Sequence, residues 1–283
     1  MSLTITNAWK SAQARLKGAG VETSALDARL LLERAFGVTR AQILADPHAA
    51  ASDEALARLD GLLARREARE PLAYILGRAH FWSFELAVSS AVLTPRPDTE
   101  TVVSAALERI APDQPARVLD LGVGSGAIVL AILAERPNAT AVAVDVSPEA
   151  LAIAEANAAA LGVADRLRLR EGVWGSGLEG PFDLIVSNPP YIPTASIDTL
   201  EAEVRHYEPR LALDGGQDGL DAYRALLPDV VRLLAPGGGF GLEVGFDQAG
   251  AVSALARQTG AFTGVETRRD LAGHLRVVLG RRL

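Results

Sequence analysis

The sequence predicts an α/β protein: an open, mostly parallel, Rossmann-like sheet preceded by a small N-terminal helical bundle. Three observations predict it. From Arg117 onward, short apolar runs alternate with helix-patterned segments, which is how a parallel sheet covered by helices on both faces is written. A glycine-rich turn, "DLGVGSGAI", lies between the first of these strands and the next helix. Residues 1–70 carry helical periodicity with no strand signal.

The elements follow in order. Leu26, Leu30, Ala35 and Phe36 recur at helical spacing, with Thr23 or Ser24 as the expected cap. "SDEALARLDGLLARREARE" repeats the pattern behind Ser52, with acids in its first turn. "FWSFELAVSSAVLTPRPDTE" changes to β-type residues and predicts a hairpin turning at Ser89-Ser90, stopped by Pro95 and Pro97. A helix then runs from Asp98 or Thr99 to about Ile110. "RVLDLG", "TAVAVDVS", "RLRLREG", "FDLIVSN", "GGFGLEVG" and "HLRVVLG" read as strands. The helices between them run over 125–135, 148–161, 220–234 and 248–259. Ligands of such sheets bind beyond the carboxyl ends of the strands, where the strand order switches.

Composition narrows the chemistry. The 283 residues are 49% hydrophobic and 22% charged, which suits a packed core rather than disorder. There is no cysteine, so disulfides, thiolate metal sites and cysteine nucleophiles are excluded together. Four scattered histidines have no metal-ligand spacing, and no metal site is expected. No signal peptide is recognisable, and the longest apolar run, near Ala127 to Ala134, is too short to span a bilayer. A cytoplasmic protein with no membrane partner is expected. Residues 1–80 carry a net charge of +2 and residues 81–283 a net of −9. A chain that grips nucleic acid shows a basic excess, and this one does not, although Arg65, Arg66 and Arg69 could form a local patch.

Two motifs carry chemistry. Gly122, Gly124 and Gly126 allow a tight turn and close approach of backbone to ligand. With Ala127 they fit the dinucleotide fingerprint, and behind Asp120 they fit the tighter G-x-G-x-G of S-adenosylmethionine enzymes equally well. Asp145 ends the second strand and can accept both ribose hydroxyl protons of either cofactor. The second motif, "SNPPYIP", ends the core strand "FDLIV". Pro189 has a fixed φ and Pro190 restricts it further, so the Pro189 carbonyl points in a narrow range of directions. Asn188 Oδ1 and that carbonyl can together accept both hydrogens of an NH₂ group, with Tyr191 stacking on the flat group that carries it. Methylation of a planar amide or amine needs this arrangement, because its delocalised lone pair must be oriented. Hydride transfer does not.

On these residues the sequence resembles the PrmC/HemK family, glutamine N5-methyltransferases of peptide-chain release factors. The resemblance covers nearly the whole chain through "EPLAYILGRAHFWSFELAVSSAVLTPRPDTE", "VLDLGVGSGAI", "VSNPPYIP" and "EVRHYEPRLALDGGQDGL". NPPY alone is less specific, since adenine- and guanine-directed methyltransferases share it. The resemblance implies a substrate-docking helical domain at 1–72, a β-hairpin linker at 73–97 and a class I S-adenosylmethionine-dependent methyltransferase domain at 98–283. It implies that Asp120, Gly122, Val123, Gly124, Ser125, Gly126, Asp145, Trp174 and Asn188 hold S-adenosyl-L-methionine and its product S-adenosyl-L-homocysteine. Asn188, Pro189, Pro190 and Tyr191 then bind the glutamine, and Asn188, Pro189 and Tyr191 serve the reaction. The implied partner of this expected monomer is a class I release factor, with no direct nucleic-acid contact. Val123 stands where the family more often has threonine, and Val173 where it often has an acid before the aromatic. Both departures bear on donor affinity. Gly215-Gly216-Gln217 repeats the motif methylated in release factors, but a turn explains it better. Two other readings remain: an exocyclic-amine methyltransferase acting on nucleic acid, and a silent donor-binding adaptor.

Overall fold

The computed structural model describes residues 3–283, and the chain forms two compact units. One is the chain up to Gly77 together with Glu201–Tyr207; the other is Arg78–Leu200 with Glu208–Leu283.

The first unit is helical: α1 (Ile5–Gly18), α2 (Ser24–Phe36), α3 (Arg40–Ala45), α4 (Asp53–Glu67) and α5 (Leu72–Leu76). Apolar residues on one stripe of each longer helix, among them Leu16, Leu31, Leu32, Leu59 and Leu63, close a common core. Thr4 and Ser52 cap α1 and α4 by accepting from the Asn7 and Ala55 amides, and Thr39 with Gln42 makes a capping box for α3. The expected cap of α2 does not form. Thr23 has ψ 20, away from the extended geometry that aims a capping hydroxyl, and Ser24 is already inside the helix.

The second unit begins with a hairpin, β1 (Arg78–Phe81) and β2 (Phe84–Ala87), followed by α6 (Glu100–Leu107) behind a 3₁₀ turn at Pro97–Thr99. The hairpin turns at Trp82-Ser83, not at Ser89-Ser90. Trp82 takes φ 56, and its N–H donates to Glu100 Oε1 at 2.8 Å, which holds the turn. Then come β3 (Ala116–Leu121), α7 (Ala127–Glu135), β4 (Ala139–Asp145), α8 (Pro148–Ala160), β5 (Leu167–Glu171) and β6 (Phe182–Ser187). The excursion Glu201–Tyr207 follows, with α9 (Ala202–Tyr207), and counts with the helical unit. The chain closes with α10 (Asp221–Leu233), β7 (Leu234–Glu243), α11 (Ala249–Gln258), β8 (Phe262–Arg269) and β9 (Leu275–Arg282).

The seven strands order as β5-β4-β3-β6-β7-β9-β8. The first five are parallel; β9 runs antiparallel to β7 and β8 to β9. β8 had no signal in the sequence. It is an edge strand with only Phe262 buried, so its polar residues face water and no apolar run marks it. Two cores flank the sheet, one under α6 and α7 (Val102, Leu130, Ile132) and one under α10 and α11 (Leu226, Val230, Val252). The order reverses between β3 and β6, so their carboxyl ends open the crevice that this topology reserves for ligands.

The arginines that looked like a basic patch are neutralised within the helical unit. Arg65 forks onto Glu70, Arg66 Nε donates to buried Asp27 at 2.7 Å, and Arg69 forks onto Glu203 of the excursion at 2.7 Å on both oxygens. Arg66 also reaches Glu203, at 3.0 Å.

Candidate functional site

A cavity of about 680 Å³ lies at the carboxyl ends of the parallel strands, within the second unit. The glycine turn forms its floor. Gly122 and Val123 N–H both donate to the Val144 carbonyl at the end of β4, which folds the turn back against the sheet. Gly126 opens α7 at φ 88, the left-handed region that favours glycine, and a Cβ there would also lie 2.7 Å from Leu130 Cδ1 of the same helix. Asp145 Oδ2 accepts from the Gly124 amide at 2.9 Å and Oδ1 from the Ser147 amide at 3.0 Å. The carboxylate is thereby aimed across the turn, with lone pairs to spare for a ribose.

The structure brings most of the expected donor residues into the lining of one cavity. Gly122, Val123, Gly124, Ser125, Asp145, Trp174 and Asn188 all line the cavity. Trp174 holds φ 47, and its ring edge lies 3.9 Å from where a Gly122 Cβ would be. Val173 beside it is exposed, so no acid is supplied at that point of the wall. Asp120 does not line the cavity. It lies beneath the turn, 1% exposed, with Oδ1 unpartnered, and burial pushes its carboxyl up to about 8, with Asp145 adding to the shift. Gly126 is likewise a hinge of the turn rather than part of the wall.

Of the NPPY residues, Asn188 and Pro190 line this cavity and Pro189 and Tyr191 do not. Pro189 is buried, and Tyr191 packs on the core under α10, where burial pushes its phenol up to about 12. The whole segment is braced from one side. Ile192 bridges to Asp214, Gly215 N–H donates to the Ile192 carbonyl at 2.8 Å, and Thr194 N–H donates to Gly216 O at 2.9 Å. "DGGQDG" is therefore a turn that clasps the NPPY exit. Gln248 completes the clasp, its Nε2 donating to Tyr191 O at 2.8 Å and Gly219 O at 3.2 Å.

Besides Gln248, three positions went unread in the sequence. Asn157, buried in the alanine-rich α8, pairs with both backbone groups of Ala87 and donates to Ser125 O at 2.8 Å, tying the hairpin to the glycine turn. Nothing but a polar residue within that apolar helix could have flagged it. Thr99 accepts from Asn188 Nδ2 at 3.3 Å. Glu243 ends β7 beside them, fully buried, with its carboxyl pushed up to about 7 by desolvation. An acid closing an apolar strand was the available signal. Opposite, Glu208 is buried against the cavity-lining Arg96, whose Nη2 donates to both its oxygens at 2.8 Å.

The PrmC N-terminal domain family matches residues 7–77, and the methyltransferase small domain family matches residues 99–244. A curated release factor glutamine methyltransferase of Caulobacter vibrioides is 54% identical over 281 residues, covering 99% of this chain and 97% of its own length. The chain belongs to the release factor glutamine methyltransferase family. The enzyme of that name from Moorella thermoacetica is 45% identical, with 99% of both chains covered. Solved structures show that the fold extends further than the family. A methyltransferase from Pyrococcus furiosus superposes at TM-score 0.52 with 20% identity, over 69% of this chain and 87% of that one. A ribosomal protein L11 methylase from Lactobacillus delbrueckii superposes at 0.51 with 21% identity, over 69% and 83%. In this family's sequence frame the resemblance read from the motifs holds, and the sheet is that of a class I methyltransferase.

Proposed function

We propose that this protein transfers a methyl group from S-adenosyl-L-methionine to the N5 amide nitrogen of the glutamine in the Gly-Gly-Gln motif of class I peptide-chain release factors. The observation that carries it is the shared cavity. The glycine turn with Asp145, the donor half, and Asn188, the acceptor half, line one cavity. The donor supplies an electrophilic methyl on a sulfonium. Gly122 and Gly124 let backbone approach it, Asp145 accepts ribose hydroxyl protons, and Trp174 covers the adenine. The lining fits: the glycine turn allows close approach of backbone, and Asp145, held by the Gly124 and Ser147 amides, keeps lone pairs free for ribose hydroxyls. Asn188 Oδ1 accepts one hydrogen of the glutamine NH₂, which orients its nitrogen toward the methyl. Tyr191, set back from the cavity, supports Pro190 and the acceptor edge. No side-chain base is needed, because the alkylated nitrogen is acidic and releases its proton late.

The reading extends to the rest of the chain. Residues 1–72 dock the protein substrate, 73–97 link, and 98–283 catalyse. The protein works as a cytoplasmic monomer without touching nucleic acid. The neutralised Arg65, Arg66 and Arg69 support that last point. Among the described residues no helix is long and apolar enough to cross a membrane.

Incubation with methyl-labelled donor and either an intact release factor, a short Gly-Gly-Gln peptide or nucleic acid tests the proposal. Label is expected on the motif glutamine, with the intact factor favoured over the peptide in kcat/KM. Label in nucleic acid alone would establish the exocyclic-amine reading instead, and equal kcat/KM for factor and peptide would sink the docking role.

A further inference from the structure

We infer that Glu243 is a positioning residue for this reaction: with the Thr99 hydroxyl, its buried carboxylate holds the NH₂ end of the Asn188 side chain, so that Oδ1 faces the acceptor nitrogen. The inference rests on the proposed function, in which Asn188 Oδ1 accepts a hydrogen from the substrate amide.

The sheet register brings the groups together. Ser187 of β6 lies opposite Leu242 of β7 in a parallel pair, so the next residues, Asn188 at the exit of β6 and Glu243 at the last position of β7, lie side by side. Thr99, 4% exposed at the end of the 3₁₀ turn, accepts from Asn188 Nδ2 at 3.3 Å. Glu243 is 1% exposed, the Thr99 hydroxyl and the Asn188 amide favour its ionised form, and Oε2 is left without a hydrogen-bond partner. The Tyr223 hydroxyl donates to the Glu243 backbone carbonyl at 2.7 Å, which fixes where the side chain starts. Arg276 of β9 faces the same pocket, shared with Asp270 at 3.2 Å and Asp98 at 3.0 Å, and the Tyr191 and Tyr223 phenols complete the titratable surroundings.

Chemistry makes the carboxylate decisive. An asparagine amide has two ends of similar shape, and turned by 180° it would present NH₂ to the substrate NH₂, donor against donor. The Thr99 hydroxyl cannot choose between the ends, because it both donates and accepts. An ionised carboxylate only accepts, so it rejects Oδ1 and selects NH₂. The selection weakens when Glu243 is protonated, and burial has moved that protonation up to about pH 7. Arg276 opposes the shift and Asp98 adds to it.

The full-length variants Glu243→Gln, Thr99→Val and Thr99→Ser test this. Glu243→Gln keeps the shape but offers a competing donor. Its kcat on a Gly-Gly-Gln peptide should fall roughly 10- to 100-fold, as for a misplaced catalytic contact. KM and donor affinity should stay within about twofold. Its melting temperature should hold or rise, since the shape is kept and a desolvated charge with an unpartnered Oε2 is removed. Wild-type kcat should decline below about pH 7 and the variant's should not. Thr99→Val should resemble it, and Thr99→Ser should restore turnover. The ¹⁵N resonance of the Asn188 side-chain amide should shift in Glu243→Gln. Wild-type turnover in Glu243→Gln, a loss of kcat that follows a loss of melting temperature, or an unmoved Asn188 resonance each overturns the inference. If the wild type methylates no glutamine substrate, the proposed function fails, and the resonance alone then decides the contact.

Discussion

Gly219→Ala should damage turnover far beyond its effect on stability. Gly219 has φ 75, and a Cβ built there would lie 2.4 Å from both Gln248 Nε2 and the Tyr191 carbonyl. The positive φ alone costs an alanine about 1–2 kcal/mol. The overlap adds about 1–3 kcal/mol, because neither obstacle is a free side-chain end. Gln248 is held by Gly245 N–H at 3.1 Å as well as by Tyr191, and the second obstacle is backbone. Relief of the overlap therefore has to push the Tyr191 peptide, and Tyr191 follows directly on the two prolines. A displacement near 1 Å at the acceptor edge is worth about 100-fold in rate.

Gly260→Ala is the matched control. It has φ 67 and nothing within 4 Å of its Cβ, so it carries the backbone strain without the collision. Melting curves and kcat measured on both variants separate the contributions. Gly219→Ala should lose about 2–5 kcal/mol of stability and about 100-fold of kcat, and Gly260→Ala about 1–2 kcal/mol and no kcat. Equal kcat in the two variants would show that the "DGGQDG" turn does not position the NPPY segment.

Three further outcomes are expected. Asn188→Ala should reduce kcat by at least about 100-fold with donor affinity changed by less than about fivefold; equal losses would assign Asn188 to the donor alone. Asp120→Asn should flatten the pH dependence of stability. The Asp120 carboxyl titrates at about 8 when folded against 3.8 ordinarily, so its contribution is complete below about pH 4 and is lost as pH rises through 8. Thermal melts from pH 5 to 9 with the wild-type slope in the variant would refute this. Glu203→Ala should destabilise the helical unit by roughly 3 kcal/mol, because Arg69 loses both its carboxylate bonds and Arg66 one of its two acids. Chemical denaturation of the variant measures it, and a change under about 0.5 kcal/mol would mean that the pair is exchangeable with water.

Periodicity gave most of the fold, and its failures have local causes. β3, β4 and β6 are fully covered by helices and so read as apolar runs, whereas β8 at the sheet edge has one buried side chain and no pattern. The hairpin was legible but its turn was not. Tryptophan at φ 56 is a poor turn residue by propensity, and only Glu100, eighteen positions on, makes it one. At the site, residues whose job is set by backbone geometry were recognisable, since glycines and prolines announce their dihedral angles. Asn157, Thr99, Gln248 and Glu243 were not, because each acts on a partner distant in sequence and has no local spacing to betray it.

The same distant partners explain an electrostatic feature of the site. Asp120 near the end of β3, Asp145 at the end of β4 and Glu243 at the end of β7 all lie toward the carboxyl-end edge of the parallel strands, with β6 between β3 and β7. Asp145 disfavours the charge of Asp120, and Asp98 disfavours that of Glu243. An apolar core beneath them intensifies that repulsion. On the proposed reading the edge is relieved by a cationic donor, whose sulfonium charge vanishes when the methyl leaves. The product, a neutral thioether at sulfur, no longer offsets the acids as well. Ionised Glu243 and Asp145 thus favour the donor over its product by charge, whereas Asp120, protonated below about pH 8, adds to that preference only above it.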